Sequence, residues 1–202
     1  MPRTPEQYQT IRNARKQLIS RTALTLFASQ GYQNTTISRI AEEAGISKGL
    51  LYNYFTGKED LLRFIMESMN REIGDMIDPN HDGEVTDEEA LQFMDTFFEM
   101  LIRRKEEMKL FFQISFQAQV RDLLKDEKNK SDSQKRLDLL LHFLGQKLPM
   151  PDEKSSFLTI TSFLNGVALV FAYSDESAYT EEFMKRYKVY LKRILINAKR
   201  VC

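Results

Sequence analysis

The chain has 202 residues, of which 42% are hydrophobic and 29% are charged, and its formal net charge is zero. This length and composition predict one or two globular domains, and 8 glycines and 5 prolines are too few for a fibrous or low-complexity protein. The only cysteine, Cys202, excludes a disulfide framework and is typical of a protein from a reducing compartment.

The charges are unevenly distributed along the chain. Residues 1–63 contain nine Lys or Arg and five Asp or Glu, whereas residues 64–202 contain twenty basic and twenty-four acidic residues. This asymmetry suggests that the N-terminal part meets a polyanion. Ordinary surface variation is the alternative, because the excess is small.

Candidate catalytic residues are scarce. His81 and His142 lie in unrelated contexts and Cys202 is the last residue, so no nucleophile and base can be paired. The first nine residues lack the apolar stretch of a secretory signal. We therefore expect a cytoplasmic protein that is not an enzyme.

Apolar residues recur with the period of an α-helix along the chain. The N-terminal stripes are Ile19, Ala23, Leu26 and Phe27, then Ile37, Ile40, Ala41 and Ala44, then Leu62, Ile65, Met69, Ile73 and Met76. The later stripes are Ala90, Phe93, Met94, Phe97 and Leu101, then Leu137, Leu140, Leu141 and Leu144, then Phe183, Tyr187, Tyr190, Leu191 and Ile194. Sustained alternation of period two is missing, so the sequence predicts an all-α fold.

Local signals divide these helices. Gly31 ends the first helix, and two capping boxes are predicted, Thr56 with Glu59 and Thr86 with Glu89. Residues 125–133 are predicted as a polar loop, and the two prolines in residues 148–151 stop a helix.

Two short helical patterns lie between Gly31 and Gly57, separated by residues 44–46. Gly45 allows a tight turn, and Ser47 is placed to cap the second helix. This arrangement predicts a helix-turn-helix, whose second helix fits a DNA major groove about 12 Å wide. A three-helix bundle with an ordinary glycine turn is the alternative.

Several residues around this turn suit contact with the DNA backbone, because they carry hydroxyl or ammonium groups or no side chain: Thr35, Thr36, Ser47, Lys48, Gly49, Tyr52, Tyr54 and Lys58. Ser47 and Lys48 stand at a predicted helix N-terminus, where free N–H groups attract phosphate. Gly49 has no side chain and lets a DNA strand approach closely.

The segment from Ala23 to Leu61 reads ALTLFASQGYQNTTISRIAEEAGISKGLLYNYFTGKEDL. It contains a Phe before Gly-Tyr, a Thr-Thr pair, Ile-Ala with Ala-Gly-Ile-Ser, Gly-x-Leu-Tyr-x-Tyr-Phe and Lys-Glu-x-Leu. In order and spacing, these motifs resemble the N-terminal domain of TetR/AcrR-family transcriptional regulators.

The resemblance implies a homodimeric all-helical regulator, usually a repressor. Its helix-turn-helix domain would be residues 1–57, and its effector-binding and dimerisation domain residues 58–202. By matching position, the DNA contacts fall on Thr36, Ser47, Lys48, Gly49, Tyr52, Asn53, Tyr54 and Lys58. Lys48, Tyr54 and Lys58 would hold phosphates, while Tyr52 and Asn53 would read bases.

Eleven of the fourteen phenylalanines follow residue 90. An aromatic interior suits an apolar or flat aromatic effector, although each of these residues has an alternative role as ordinary core. The predicted pocket residues are Phe97, Met100, Phe111, Phe112, Phe116, Phe143 and Phe163.

Residues 153–173 and 180–199 are predicted as two long helices. Twenty residues from Ser155 to Ser174 carry no formal charge, but their Ser, Thr and Asn content is too polar for a membrane span. The resemblance implies that these helices pair with those of a second copy, with close approach at Gly166. Two-fold symmetry then predicts a palindromic operator.

Residues 78–89 match the spacing of an EF-hand calcium loop. Asp78, Asn80, Asp82 and Glu89 would supply side-chain oxygens, with Gly83 at the sharp turn. The same residues also form an exposed turn followed by a capping box, and no second loop is present to pair with this one. A calcium- or lipid-binding helical protein is therefore the alternative to a DNA-binding regulator, and calcium at this loop is a separate hypothesis.

Overall fold

The computed structural model describes residues 4–124, 132–147, 152–173 and 181–197. Within these ranges the regular secondary structure is entirely α-helical, which confirms the predicted fold class. The helices are α1 (Pro5–Gln30), α2 (Ile37–Glu43), α3 (Lys48–Tyr52), α4 (Lys58–Ile77), α5 (Asp87–Arg103), α6 (Lys105–Ser115), α7 (Ala118–Leu124), α8 (Asp132–Lys147), α9 (Glu153–Tyr173) and α10 (Glu181–Asn197). In the described part of the chain, none of them has the length and hydropathy that a membrane span requires.

The helix ends confirm most of the local predictions. Helix α1 ends at Gly31, which has a φ of 83°, and Thr86 and Glu89 form the predicted capping box of α5. The capping box predicted for Thr56 and Glu59 is wrong. The backbone N–H and the hydroxyl of Thr56 both donate to Asp60, because α4 begins at Lys58 and this places Asp60 one turn beyond Thr56.

Two other predictions lie mostly outside the described residues. They are the polar loop 125–133, of which only Asp132 and Ser133 are described and already belong to α8, and the stop at residues 148–151. In the last helix, Tyr190 of the predicted apolar stripe is 60% exposed in the single chain, where no second copy is present to cover it. The two long helices predicted near the C-terminus match α9 and α10 to within two residues at each end.

The chain divides into two compact units, as far as it is described. One comprises Met1–Ser68 with Leu110–Glu127, and the other comprises Met69–Lys109 with Lys128–Cys202. This division differs from the predicted boundary at residue 57. Helix α4 begins directly after residue 57, and its first turns bury Leu61 and Leu62 completely in the first unit.

The first unit has a core built from every helix that it contains. Helices α1 to α3 contribute Ile19, Ala23, Phe27, Ile40 and Leu51, and the later helices contribute Leu61, Leu62, Ile114 and Val120. Each of these side chains is at most 2% exposed, so the short α2 and α3 are held by packing. A seven- or five-residue helix is too short to be stable by its own propensity.

The second unit contains α5 and α8 to α10, together with the adjoining ends of α4 and α6. Helix α5 buries Phe93, Phe97 and Leu101, while its Asp95 lies 2.7 Å from Lys188 and 2.5 Å from Lys192 of α10. Burial raises the pKa of Asp95, but the hydrogen bonds and charges of the two lysines outweigh it, so the pKa lies below its ordinary value. These ion pairs therefore join α10 to α5.

Candidate nucleic-acid interface

The turn between α2 and α3 is a glycine-dependent helix stop. Gly45 has a φ of 65°, its N–H donates to the carbonyl of Glu42, and the N–H of Ile46 donates to that of Ala41. This pair of bonds is a Schellman motif, which satisfies the last carbonyls of α2 and reverses the chain sharply. The predicted helix-turn-helix is therefore present, with α2 and α3 joined by four residues.

Helix α3 is buried on one side and exposed on the other. Leu51 is completely buried and fixes the helix to the core. The opposite side presents most of the predicted DNA contacts to solvent, namely Ser47, Lys48, Gly49, Tyr52 and Asn53. Tyr52 is 48% exposed, so its ring and hydroxyl are open to solvent.

Two hydroxyls cap the helices of the motif. Thr36 accepts from the N–H of Arg39, and Ser47 accepts from the N–H of Leu50, each at 3.1 Å. A hydroxyl that accepts in this way keeps its own O–H as a donor, and both side chains are exposed. The prediction for Thr35 is wrong, because its buried hydroxyl donates to the carbonyls of Leu26 and Gly31.

Lys58 lies at the start of α4 with its ammonium turned onto the chain between α1 and α2. Its Nζ is 2.8 Å from the carbonyl oxygen of Tyr32, 3.1 Å from that of Gln33 and 4.5 Å from the centre of the Tyr32 ring. Partial burial lowers the pKa of this lysine. The carbonyls of Tyr32 and Gln33 occupy two of the three N–H groups of Lys58. A phosphate contact through the third N–H group stays a prediction.

Arg12 is a residue that the sequence analysis missed. One guanidinium nitrogen lies 3.3 Å from the carbonyl oxygen of Asn53, and the guanidinium carbon lies 5.2 Å from the centre of the Tyr54 ring. Arg12 therefore lies beside two of the predicted DNA contacts, with Tyr54 partly covered. A contact across 41 positions leaves no local signal in the sequence.

Gln117, between α6 and α7, was also missed. Its side-chain carbonyl accepts from the backbone N–H of Tyr32 at 2.9 Å, and its Nε2 donates to the carbonyl of Phe27 at 3.0 Å. One side chain thus satisfies an end carbonyl of α1 and an N–H of the following turn. Tyr32 is held by Gln117 through its N–H and by Lys58 through its carbonyl.

The predicted effector residues are divided between the two units. In the second unit, Phe97 and Met100 are buried, Phe143 is half-buried and Phe163 is 42% exposed. In the first unit, Phe111 and Phe112 are buried and pack edge to face, whereas Phe116 is 56% exposed. An effector pocket lined by these residues stays a prediction, and Phe116 and Phe163 are its most exposed members.

The loop between α4 and α5 is fixed by its own hydrogen bonds. The buried carboxylate of Asp78 accepts from the N–H groups of Asp82 and Gly83, and Gly83 has a φ of 81°. The carboxylate of Glu89 is turned to the N–H and hydroxyl of Thr86. Among the described residues no three acidic, His or Cys side chains gather as metal ligands, and calcium binding stays a prediction.

The sequence matches one family profile, described as bacterial regulatory proteins of the tetR family, over residues 19–65. It is similar to the uncharacterised HTH-type transcriptional regulator YerO of Bacillus subtilis, with 45% identity over 64 residues that cover 29% of this chain and 22% of that protein. It is also similar to the negative transcriptional regulator IcaR of the icaADBC biofilm operon of Staphylococcus epidermidis, with 31% identity over 93 residues, 46% of this chain and 49% of that one. These matches span less than half the length of each relative.

The fold is similar to that of solved structures along nearly the whole chain. The fatty acid degradation regulator FadR from Bacillus halodurans superposes with a TM-score of 0.64 at 19% identity, covering 99% of each chain. A tetR-family transcriptional regulator from Bordetella parapertussis superposes with a TM-score of 0.62 at 20% identity, covering 88% of this chain and 93% of that chain. At such low identity these likenesses show a shared fold.

Proposed function

We propose that this chain is a DNA-binding transcriptional repressor of the tetR family of bacterial regulatory proteins, whose profile matches residues 19–65. It binds a palindromic operator as a homodimer and releases that operator when a small, largely apolar effector binds. The protein acts in the cytoplasm, where its operator DNA lies. The observation that carries the proposal is the exposed side of α3, held outward by buried Leu51 and by the turn at Gly45.

DNA binding is supported by the chemistry of that surface. Lys48 supplies an exposed ammonium, and the capping hydroxyls of Thr36 and Ser47 supply further donors, which are the groups that bind phosphates. Tyr52 and Asn53 are exposed at the other end of α3, where an amide and a phenol can donate to or accept from base edges. Gly49 has no atom within 4 Å of where a Cβ would lie, so a DNA strand has room to approach.

A homodimer is supported by the exposed apolar side chains of α9. Leu158, Phe163 and Val170 are 65%, 42% and 44% exposed in the single chain. Gly166 lies between them with open space around it, which leaves room for a second helix to approach closely. A two-fold axis through such an interface sets two copies of α3 about one DNA turn, roughly 34 Å, apart.

An apolar effector is supported by the aromatic interior of the second unit. Phe93 stacks on Phe97 with a ring separation of 5.4 Å, and Phe97 meets Phe98 edge to face at 6.4 Å. Buried Met100 offers an adaptable neighbouring wall. The effector pocket is proposed around Phe97, Met100 and Phe143.

The test is a gel-shift salt series with a duplex selected from a random library by the wild-type protein. We expect affinity to fall steeply as salt rises and Lys48→Ala to reduce the slope by about 0.9 for each phosphate that this lysine neutralises. Lys135→Ala removes the same charge from an exposed position on α8 and should leave the slope unchanged. Selection of no duplex, or equal slopes for both variants, would contradict the proposal.

Dimerisation is tested by sedimentation. Phe163→Glu and Val170→Glu place charges on the exposed face of α9, and we expect them to convert a dimer into monomers with unchanged helix content. A wild-type protein that sediments as a monomer at micromolar concentration would remove the basis for a palindromic operator.

The calcium- or lipid-binding alternative is not favoured, because the profile match falls on the helix-turn-helix and ends at residue 65, before the loop 78–89.

A further inference from the structure

Helix α1 is much longer than the core of its unit requires. It spans 26 residues from Pro5, but its buried residues begin only at Ile19. Residues 5–18 form an extension about 21 Å long, in which every side chain is exposed except that of Lys16, which is half-buried. The extension begins with a complete capping box between Thr4 and Gln7, so its helical start is specified locally.

The extension is attached beside α3. Arg12 donates a hydrogen bond to the carbonyl of Asn53 and lies over the Tyr54 ring. One helical turn later, Lys16 lies 5.1 Å from the centre of the Phe64 ring. These contacts hold the extension next to the C-terminal end of α3, where Asn53 and Tyr54 are proposed DNA contacts.

The charge of this segment is almost entirely positive and has little neutralisation. Residues 5–18 contain Arg12, Arg15 and Lys16 but only one acid, Glu6. In the described part of the chain none of these three cations has a carboxylate within salt-bridge distance, whereas Arg39 on α2 is paired with both Glu42 and Glu43. Unpaired surface cations next to a DNA-contacting helix provide the attraction that phosphates require.

We propose that the α1 extension is a second DNA-contact surface, on which Arg12 and Arg15 bind backbone phosphates adjacent to those held by α3. This inference rests on the proposed DNA-binding function. Arg12 uses one of its five N–H donors on Asn53, and Arg12 and Arg15 are both exposed residues. Arg15 follows Arg12 by three residues and lies about 60° from it around the helix, so both face the same side.

The experiment compares salt slopes on the selected operator. In a homodimer each substitution removes two copies of the side chain, so Arg15→Ala should reduce the slope of log affinity against log salt by about 1.8. Arg12→Ala should do the same, whereas Arg12→Lys should largely keep the slope. Arg21 follows Arg12 by nine residues and lies on the opposite side of α1, so Arg21→Ala is the matched control that should leave the slope unchanged.

Four outcomes separate the possibilities. Slopes reduced by Arg12→Ala and Arg15→Ala but not by Arg21→Ala support the extension as a contact surface. Equal reduction by all three variants shows a general charge effect and overturns the inference. A wild-type slope for all three arginine variants, with Lys48→Ala still defective, also overturns the inference but leaves the proposed function intact. Failure of the wild-type protein to select any duplex would instead contradict the proposed function. Circular dichroism checks that each variant keeps its helix content.

Discussion

The side chain of Gln117 is predicted to stabilise the end of α1 and the segment between α1 and α2. It makes two hydrogen bonds to backbone groups of that region, at 2.9 Å to the N–H of Tyr32 and at 3.0 Å to the carbonyl of Phe27. Gln117→Met keeps much of the shape of the side chain and removes both hydrogen bonds. Each bond contributes about 1 kcal/mol, and leaving partly buried backbone groups unsatisfied adds to the cost, so we expect a loss of about 2 kcal/mol.

Two measurements check this value. Urea unfolding followed by circular dichroism gives the change in the free energy of unfolding. Hydrogen exchange at the Tyr32 amide reports the local bond, and a loss of about 2 kcal/mol corresponds to roughly thirtyfold faster exchange if the region opens locally. Gln119→Met is the control, because Gln119 is an exposed glutamine two residues away on α7.

A second variant separates the two bonds. Gln117→Glu keeps an acceptor for the Tyr32 N–H but replaces the donor to Phe27 with an oxygen that faces its carbonyl. We expect it to be at least as destabilised as Gln117→Met at neutral pH and to recover in part below about pH 4, where a protonated carboxyl donates again. The reasoning is refuted if Gln117→Met and Gln119→Met unfold at the same urea concentration and Tyr32 exchanges at the wild-type rate.

Three further predictions concern other parts of the chain. Gly45→Ala should cost about 1 to 2 kcal/mol in urea unfolding, because a φ of 65° is unfavourable for a residue with a Cβ; an unchanged midpoint would contradict this. Asp95→Asn should lose up to about 1 kcal/mol at pH 7. Because the pKa of Asp95 is lowered, its stabilisation is present above the ordinary carboxyl pKa and is lost as the pH falls through the lowered value. The unfolding free energies of variant and wild type should therefore converge in acid. A difference that stays constant with pH would argue against the ion pairs. Calcium should raise the melting temperature if the loop 78–89 binds it, and Glu89→Gln should abolish that rise; calorimetry without heat in the wild-type protein would end the hypothesis.

The conformation of the loop 78–89 shows how far local sequence determines structure. The Asp and Gly spacing specifies hydrogen bonds from Asp82 and Gly83 to Asp78, and the Thr86 and Glu89 box caps α5. These bonds join residues at most five apart, so pattern and geometry coincide. Whether the remaining oxygens turn toward an ion depends on side-chain rotamers that spacing does not fix.

Thr35 and Thr36 show where the sequence is ambiguous. They are adjacent and chemically identical, and both suit a helix N-terminus that faces phosphate. Only the packing of α1 decides between them, because it buries Thr35 against the carbonyl of Leu26 and leaves Thr36 outside as the cap. Lys58 is a similar case, since its ammonium meets carbonyls 25 and 26 positions away.

The amino-acid sequence by itself determined the helical fold, the position of the helix-turn-helix and most of the residues exposed on α3. These features follow from apolar period, from caps and from Gly45, which all act within a few residues. Tertiary structure alone decided the division into units, the attachment of the α1 extension through Arg12 and the role of Gln117. Those depend on contacts between residues 41 to 90 positions apart, and long-range packing leaves no periodic trace in a single sequence.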